Sequence, residues 1–269
     1  SRYVGDLVAA LQSVDIDARI IAVRGRSLFS FFGIWRGIRA SNLVHAVDLV
    51  PLGMYAFFAA RARGLPFIIT AQGTYAVAPL FQWKTSIFSR FVYAHSDMVV
   101  AISRYTKERI VTVVQHMRVT VINHGVWYKK FYASNRVPAL PLILSVGGIK
   151  RRKGYHVALE AVALLRKQIP QVCYCIVGPV GSAGYAHTLR QRAQQDDLRG
   201  AVEFMEHVSD DELRKLYASA GVFLLPSINE GNHFEGFGLV FLEAAAAGTP
   251  TIGTRDNGIE DAIRDGVTG

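Results

Sequence analysis

Short runs of β-branched and aliphatic residues alternate with longer amphipathic stretches along the whole chain. Such alternation marks strands interleaved with helices around parallel sheets. The predicted strands of the first half are ARIIAV (18–23), LVHAVD (43–48), FIITAQG (67–73), DMVVAIS (97–103) and VTVINHG (119–125). Those of the second half are LILSVGG (142–148), VCYCIVG (172–178), VEFMEHV (202–208), VFLLPS (222–227) and PTIGT (250–254). Between the two sets, ASNRVPALP (133–141) has two prolines and no periodicity, and it reads as a linker between domains at 1–137 and 138–269. Ser209-Asp210-Asp211-Glu212 has the spacing of a capping box ahead of the helical stretch LRKLYASA. The expected fold class is α/β, with two Rossmann-like, doubly wound domains facing a cleft. Ligands in such sheets bind at the carboxyl ends of strands, so the loops to read are AQGTY, NHG, GGIKRRKG, GPVGSAG and NEGNHFEGFG. With two domains, the cleft between them is the expected active site.

Composition narrows this picture. A chain of 269 residues that is 51% hydrophobic can fill real cores and is neither disordered nor fibrous. Cys173 and Cys175 lie two apart in a predicted strand, which is neither metal-ligand spacing nor a disulfide framework; both are expected in the core of a protein from a reducing compartment. The longest apolar run, 49–60, falls short of the roughly 20 residues that span a bilayer. The chain opens on SRYVGDLVAAL, in helical rhythm and without a signal-peptide pattern, so a soluble or peripheral protein is expected. Charge is split unevenly: residues 1–140 hold 17 Lys+Arg against 6 Asp+Glu, whereas residues 141–269 hold 13 against 15. The basic half suits nucleic acid, anionic lipid or an anionic substrate, and charge alone does not choose among them.

Two loops carry the candidate chemistry. HFEGFGLVFLEAAAAGTP (233–250) places Glu235 before, and Glu243 within, an almost wholly apolar helical stretch. If Gly236 to Gly238 begin the helix, free amides and the positive end of its dipole form an anion site. On one continuous helix the two carboxylates would be separated by about 12 Å of rise, wider than the roughly 5–9.5 Å of glycosidase acid/base pairs. That spacing suits two grips on one extended ligand; a solvated Glu243 and a loop charge at Glu235 are the plainer alternative. SVGGIKRRKGYHVALEA (145–161) ends a strand in two glycines and then places Lys150, Arg151, Arg152 and Lys153 on the turn into a helix. A phosphate is a natural partner for such a turn, and simple solvation is the alternative. GPVGSAG lacks the spacing of a nucleotide-binding glycine loop. Asp15-Ile16-Asp17 precedes a strand on the wrong side for a metal, and the eight histidines lack zinc-ligand spacing, so no metal is expected.

On these residues the chain resembles the retaining, nucleotide-sugar-dependent glycosyltransferases of family 4, also called group 1, which have the GT-B fold of two facing Rossmann-like domains. The likeness runs over essentially all of the chain and is strongest in VSDDELRKLYASAGVFLLPS, NEGNHFEGFGLVFLEAAAAGTP and GTRDNGIEDAIRDGVTG. It implies that Glu235 engages the donor sugar at the reaction centre and that Glu243 binds the ribose hydroxyls. Gly236, Phe237 and Gly238 would present amides to the donor. Lys153 would hold the diphosphate as it leaves, and the segment ending at Val208 would contact the base. Attack and departure on one face would retain configuration, with no cofactor beyond the nucleotide-sugar substrate. Two positions depart from the family: Gly148 stands where an Arg is usual, with Arg151 or Arg152 as candidate substitutes. Gln72, beside Gly73 on the acceptor side, stands where many relatives have His. The resemblance also implies truncation, with a strand and glycine loop missing before Ser1 and closing helices missing after Gly269.

The implied acceptor is a glycan or lipid-linked hydroxyl, handled by the basic half. Residues 27–40 and 78–95 mix aromatic and basic residues, and Phe81, Lys84, Phe88, Phe91 and Val92 follow helical spacing. Either this stripe packs inward or it meets an anionic membrane surface. The expected location is cytoplasmic, peripheral on the membrane in the second case. Nucleic acid is not an expected partner, because no reading motif appears. A catalytically silent GT-B subunit that binds nucleotide or glycan is the competing class, favoured by Gly148 and Gln72.

Overall fold

The computed structural model describes residues 2–23, 28–133 and 141–269. The linker predicted at 133–141 lies, from 134 to 140, outside the described residues. The chain divides into two compact units, one of residues 1–102 and 106–122, the other of 103–105 and 123–269.

The first unit holds a parallel sheet of β1 (Val44–Ala46), β2 (Phe67–Ala71), β3 (Met98–Ala101) and β4 (Val119–Val121), in that order. Its strands run in register, for example Ile69 opposite Val99 and Val99 opposite Val119. Phe67, Ile69, Val99 and Ala101 are fully buried, and Phe57 and Tyr93 pack into the same unit from helices. The strand predicted at 18–23 does not form; these residues are irregular, with Ile20 and Ile21 exposed. A β-branched run supplies a capacity for pairing, but a strand also needs a neighbour to share its backbone hydrogen bonds.

The second unit holds β5 (Leu142–Val146), β6 (Cys173–Val177), β7 (Val202–Met205), β8 (Val222–Leu224) and β9 (Thr251–Ile252), all parallel in the order β7-β6-β5-β8-β9. The winding starts at β5, runs outward to β7, then returns to the other side of β5 and continues to β9. Strand order therefore reverses between β5 and β8, and at such a point the loops at the carboxyl ends open a crevice. Leu144, Ile176, Phe223 and Leu225 are buried in a core completed by Tyr155, Leu159, Tyr217 and Phe241. The near-continuous apolar runs of β5 and β6 are what a sheet covered on both faces requires. Cys175 is in that core, but Cys173 is exposed at the start of β6, so only one of the two cysteines is a core residue.

The capping box forms as its spacing predicted. Glu212 donates its backbone N–H to Ser209 Oγ at 3.2 Å, and the Ser209 N–H donates to Glu212 Oε2 at 2.7 Å, opening the helix Asp210–Ser219.

Candidate functional site

Because β5 and β8 are neighbours, the loop that leaves one lies beside the loop that leaves the other. After β5 the chain forms a tight turn, Arg151–Lys153, then reaches Gly154 and the helix Tyr155–Arg166. Gly154 has φ 72°, and a Cβ there would lie 1.8 Å from the Pro226 carbonyl oxygen, so only glycine allows the close approach of the two loops. The Ile228 N–H donates to the Arg152 carbonyl at 2.8 Å and ties them together. Tyr155 Oη donates to the Gly147 carbonyl at 2.6 Å, fixing the strand end from the helix side.

This juxtaposition brings Glu235 to the basic turn. Lys153 Nζ lies 2.5 Å from Glu235 Oε2, and Arg152 Nη1 lies 3.2 Å from the same oxygen. The side chains of Lys153, Arg152 and Glu235 are 12%, 19% and 11% exposed, so the cluster is largely withdrawn from water. Burial by itself raises the Glu235 pKa, but the Lys153 and Arg152 cations outweigh it and hold the carboxyl below its ordinary range. A carboxylate with two cations leaves a net positive patch, which can accept an anion where water is scarce. Arg151 turns elsewhere, to Glu230 at 3.1 Å, and is 66% exposed. Of the two candidates for the charge absent at Gly148, it is Arg152 that faces Glu235. A Cβ at Gly148 would meet only the Pro179 oxygen, at 3.7 Å, so a side chain is sterically admissible there.

The apolar helix begins at Leu239 and runs to Ala246, with Gly238 as the residue before it. Glu235 and Gly236 thus belong to the preceding loop, and the 12 Å rise expected of one continuous helix does not apply. Gly258 packs against this loop: its N–H donates to the Glu235 carbonyl at 2.9 Å, and a Cβ would fall 2.0 Å from the Gly236 oxygen. Phe237 is buried, its ring meeting that of His124 edge to face at 5.8 Å. Burial pushes the His124 imidazole down to about 4, so it is neutral near pH 7. Glu243 is buried on the helix and accepts a hydrogen bond from Tyr217 Oη at 2.8 Å, so it does not face solvent as a spare charge.

The remaining predicted positions spread more widely. Val208 is half-buried against the core of the second unit, just after β7. Gln72 and Gly73 follow β2 in the first unit, ahead of the short helix Thr74–Val77. His124 and Tyr217 were not singled out by sequence reasoning. His124 sits in the NHG loop after β4, so its position was visible; Tyr217 is one more aromatic on a helix until the fold sets it against Glu243.

Comparison with known proteins adds three findings. The family model described as "Glycosyl transferases group 1" matches residues 129–269, and that of "Glycosyltransferase Family 4" matches residues 6–127. The chain is 30% identical over 239 residues to a glycogen synthase of Mycobacterium tuberculosis, covering 85% of this chain and 55% of that one. It is 31% identical over 131 residues to a GDP-mannose-dependent alpha-(1-6)-phosphatidylinositol monomannoside mannosyltransferase of Mycolicibacterium smegmatis, covering 48% of this chain and 34% of the other. The chain therefore spans about half, or less, of the length of these curated relatives. Among solved structures, Anabaena HepE in complex with UDP and glucose superposes with a TM-score of 0.76 at 17% identity, over 98% of this chain and 74% of that one. At that identity the likeness establishes the fold, two parallel-sheet α/β domains of the GT-B type.

Proposed function

Since the chain belongs to the group 1 glycosyl transferases, we propose that it transfers a hexose from a UDP- or GDP-linked sugar to a hydroxyl of a glycan or lipid-linked acceptor, with retention of configuration. The observation that carries the reading is the buried cluster of Glu235, Lys153 and Arg152 at the strand-order reversal of the second unit. In the reaction the bond between the sugar's anomeric carbon and the diphosphate oxygen breaks, and its electron pair leaves with the phosphate. The acceptor oxygen bonds to the same carbon from the face of departure, and its proton passes to the departing phosphate oxygen.

Lys153 and Arg152 stabilise the negative charge that grows on the diphosphate, an effect that gains strength in a site poor in water. Glu235, their counter-anion in the free chain, is released from one or both when the diphosphate arrives and turns to the sugar hydroxyls. Glu243, aimed by Tyr217 Oη, takes the ribose hydroxyls, and the amides around Phe237 and Gly238 face the phosphates. The scheme uses no metal; Lys153 and Arg152 offset two of the negative charges carried by the departing diphosphate. Names of relatives support the donor class: one is GDP-mannose-dependent, and a structural neighbour holds UDP and glucose.

The test is release of nucleoside diphosphate from a panel of UDP-, GDP- and ADP-sugars, with Glu235→Ala and Lys153→Ala as controls. Release from a UDP- or GDP-sugar that both substitutions abolish is the expected result. Donor binding without release from any member of the panel would overturn the enzymatic reading in favour of a silent binding subunit.

A further inference from the structure

The helix Ser86–His95 of the first unit is apolar on the side that faces water. Ser89, Val92 and Tyr93 are buried and mark its inner arc. The opposite arc presents Ile87, Phe88 and Phe91, which are 78%, 57% and 44% exposed. Val92 is next to Phe88 in helical spacing but is turned into the core, and Phe81 and Lys84 precede the helix, so of the stripe drawn from sequence spacing only Phe88 and Phe91 form an exposed helical surface. Phe58, from the neighbouring helix Leu52–Ala62, extends the outward cluster by stacking on Phe91 with ring centroids 6.4 Å apart and planes 14° apart. Trp83, 84% exposed just before the helix, adds an indole with Lys84 Nζ 5.3 Å from its ring centroid. Exposed apolar residues on a water-soluble surface are usually scattered, and a contiguous group of this kind marks a binding surface.

The charge around the cluster says what binds. Residues 18–96 contain nine Lys and Arg and a single acid, Asp48; the next acid, Asp97, follows the helix and is paired with Arg61, which leaves Lys84 and Arg90 as the cations beside the exposed apolar residues. Arg90 is exposed on the same helix, within the outward arc. We propose that this face docks onto an anionic lipid bilayer. Trp83, Ile87 and Phe88 would enter the boundary between headgroups and acyl chains, while Lys84 and Arg90 meet lipid phosphates. Side chains this exposed project outward as membrane-inserting residues must, whereas a peptide or helix partner needs a groove to lie in. No helix among the described residues is long and apolar enough to cross a membrane, so the contact is with the surface. The inference does not depend on the transfer chemistry, because it is tested without donor or acceptor.

The test is co-sedimentation of the chain with vesicles of phosphatidylcholine alone and with phosphatidylglycerol added. Expected are binding to the anionic vesicles and loss of binding in high salt. Ile87→Ser with Phe88→Ser should weaken it by about tenfold or more, as the loss of two buried apolar side chains implies. Lys84→Glu with Arg90→Glu should weaken it at low salt only. Lipids brominated in the acyl chain report insertion without relying on any variant's folding: they should quench the native chain's fluorescence, and Trp83→Phe should remove most of that quenching. Equal binding to neutral vesicles, or no binding to either, overturns the proposal. So does self-association of the native chain in light scattering that the double-serine variant abolishes, since the occupant would then be a second copy.

Discussion

At the scale of single residues, one carboxylate is bound to two cations that the proposed reaction also needs. Glu235→Gln removes the competing charge while keeping the shape. It should tighten binding of free nucleoside diphosphate several-fold, measured by calorimetry, while turnover falls by about a hundredfold or more, the cost typical of losing one electrostatic contact in the transition state. A parallel loss of binding and turnover would show that Glu235 holds the site together rather than competing for its cations. Arg152→Ala should cut turnover by about tenfold to a hundredfold, whereas Arg151→Ala, removing an exposed pair with Glu230, should leave it nearly unchanged. His124 gives the clearest dependence on pH. Its folded value is depressed by burial from 6.5 to about 4, so the unfolded chain binds the extra proton first as pH falls. Its contribution to stability is full above pH 6.5 and is lost as pH falls toward 4. Urea midpoints of His124→Asn should vary less with pH across that window than those of the native chain.

At the scale of elements, the site depends on two loops held closer than a side chain permits. Gly154→Ala must push back the Pro226 carbonyl and also strain a left-handed backbone, and should cost about 3 kcal/mol or more in chemical unfolding. Ser209→Ala, which removes a helix cap bonded to Glu212, should cost about 1 kcal/mol and lower donor turnover far less than Gly154→Ala does. The contrast separates a glycine that positions Lys153 from a residue that merely stabilises its helix. Equal effects of both on turnover would overturn the assignment of Gly154 to the site. The element that sequence reasoning misjudged is equally informative. Residues 18–23 have the β-branched content of a strand but no paired neighbour among the described residues, and they remain irregular.

At the scale of the whole molecule, the division of labour follows the two units. Every residue assigned to the donor lies between 142 and 261, in the unit built around β5, whereas Gln72 and the aromatic face lie in the other. Gln72→Ala is therefore expected to change turnover while leaving nucleoside diphosphate affinity within about twofold, since the diphosphate is assigned to the cations Lys153 and Arg152. A change in that affinity as large as that of Lys153→Ala would place Gln72 in the donor site instead.

By itself the sequence determined the alternation of strands and helices, the capping box at Ser209, the loops at which chemistry was to be sought, and the basic bias of the first half. These are local properties: a period of two or of 3.6 residues, a cap three positions from its partner, and a count of charges can all be read along the chain. Only the tertiary structure decided that Arg152, and not Arg151, faces Glu235, because that follows from β8 returning beside β5 across roughly eighty residues of intervening chain. Only it turned Val92 inward and Ile87 and Phe88 outward, and left Cys173 exposed two residues from buried Cys175. Burial and pairing are relations between distant segments. A sequence states what each segment is able to do, and the packed fold selects which of those capacities finds a partner and which is left facing water.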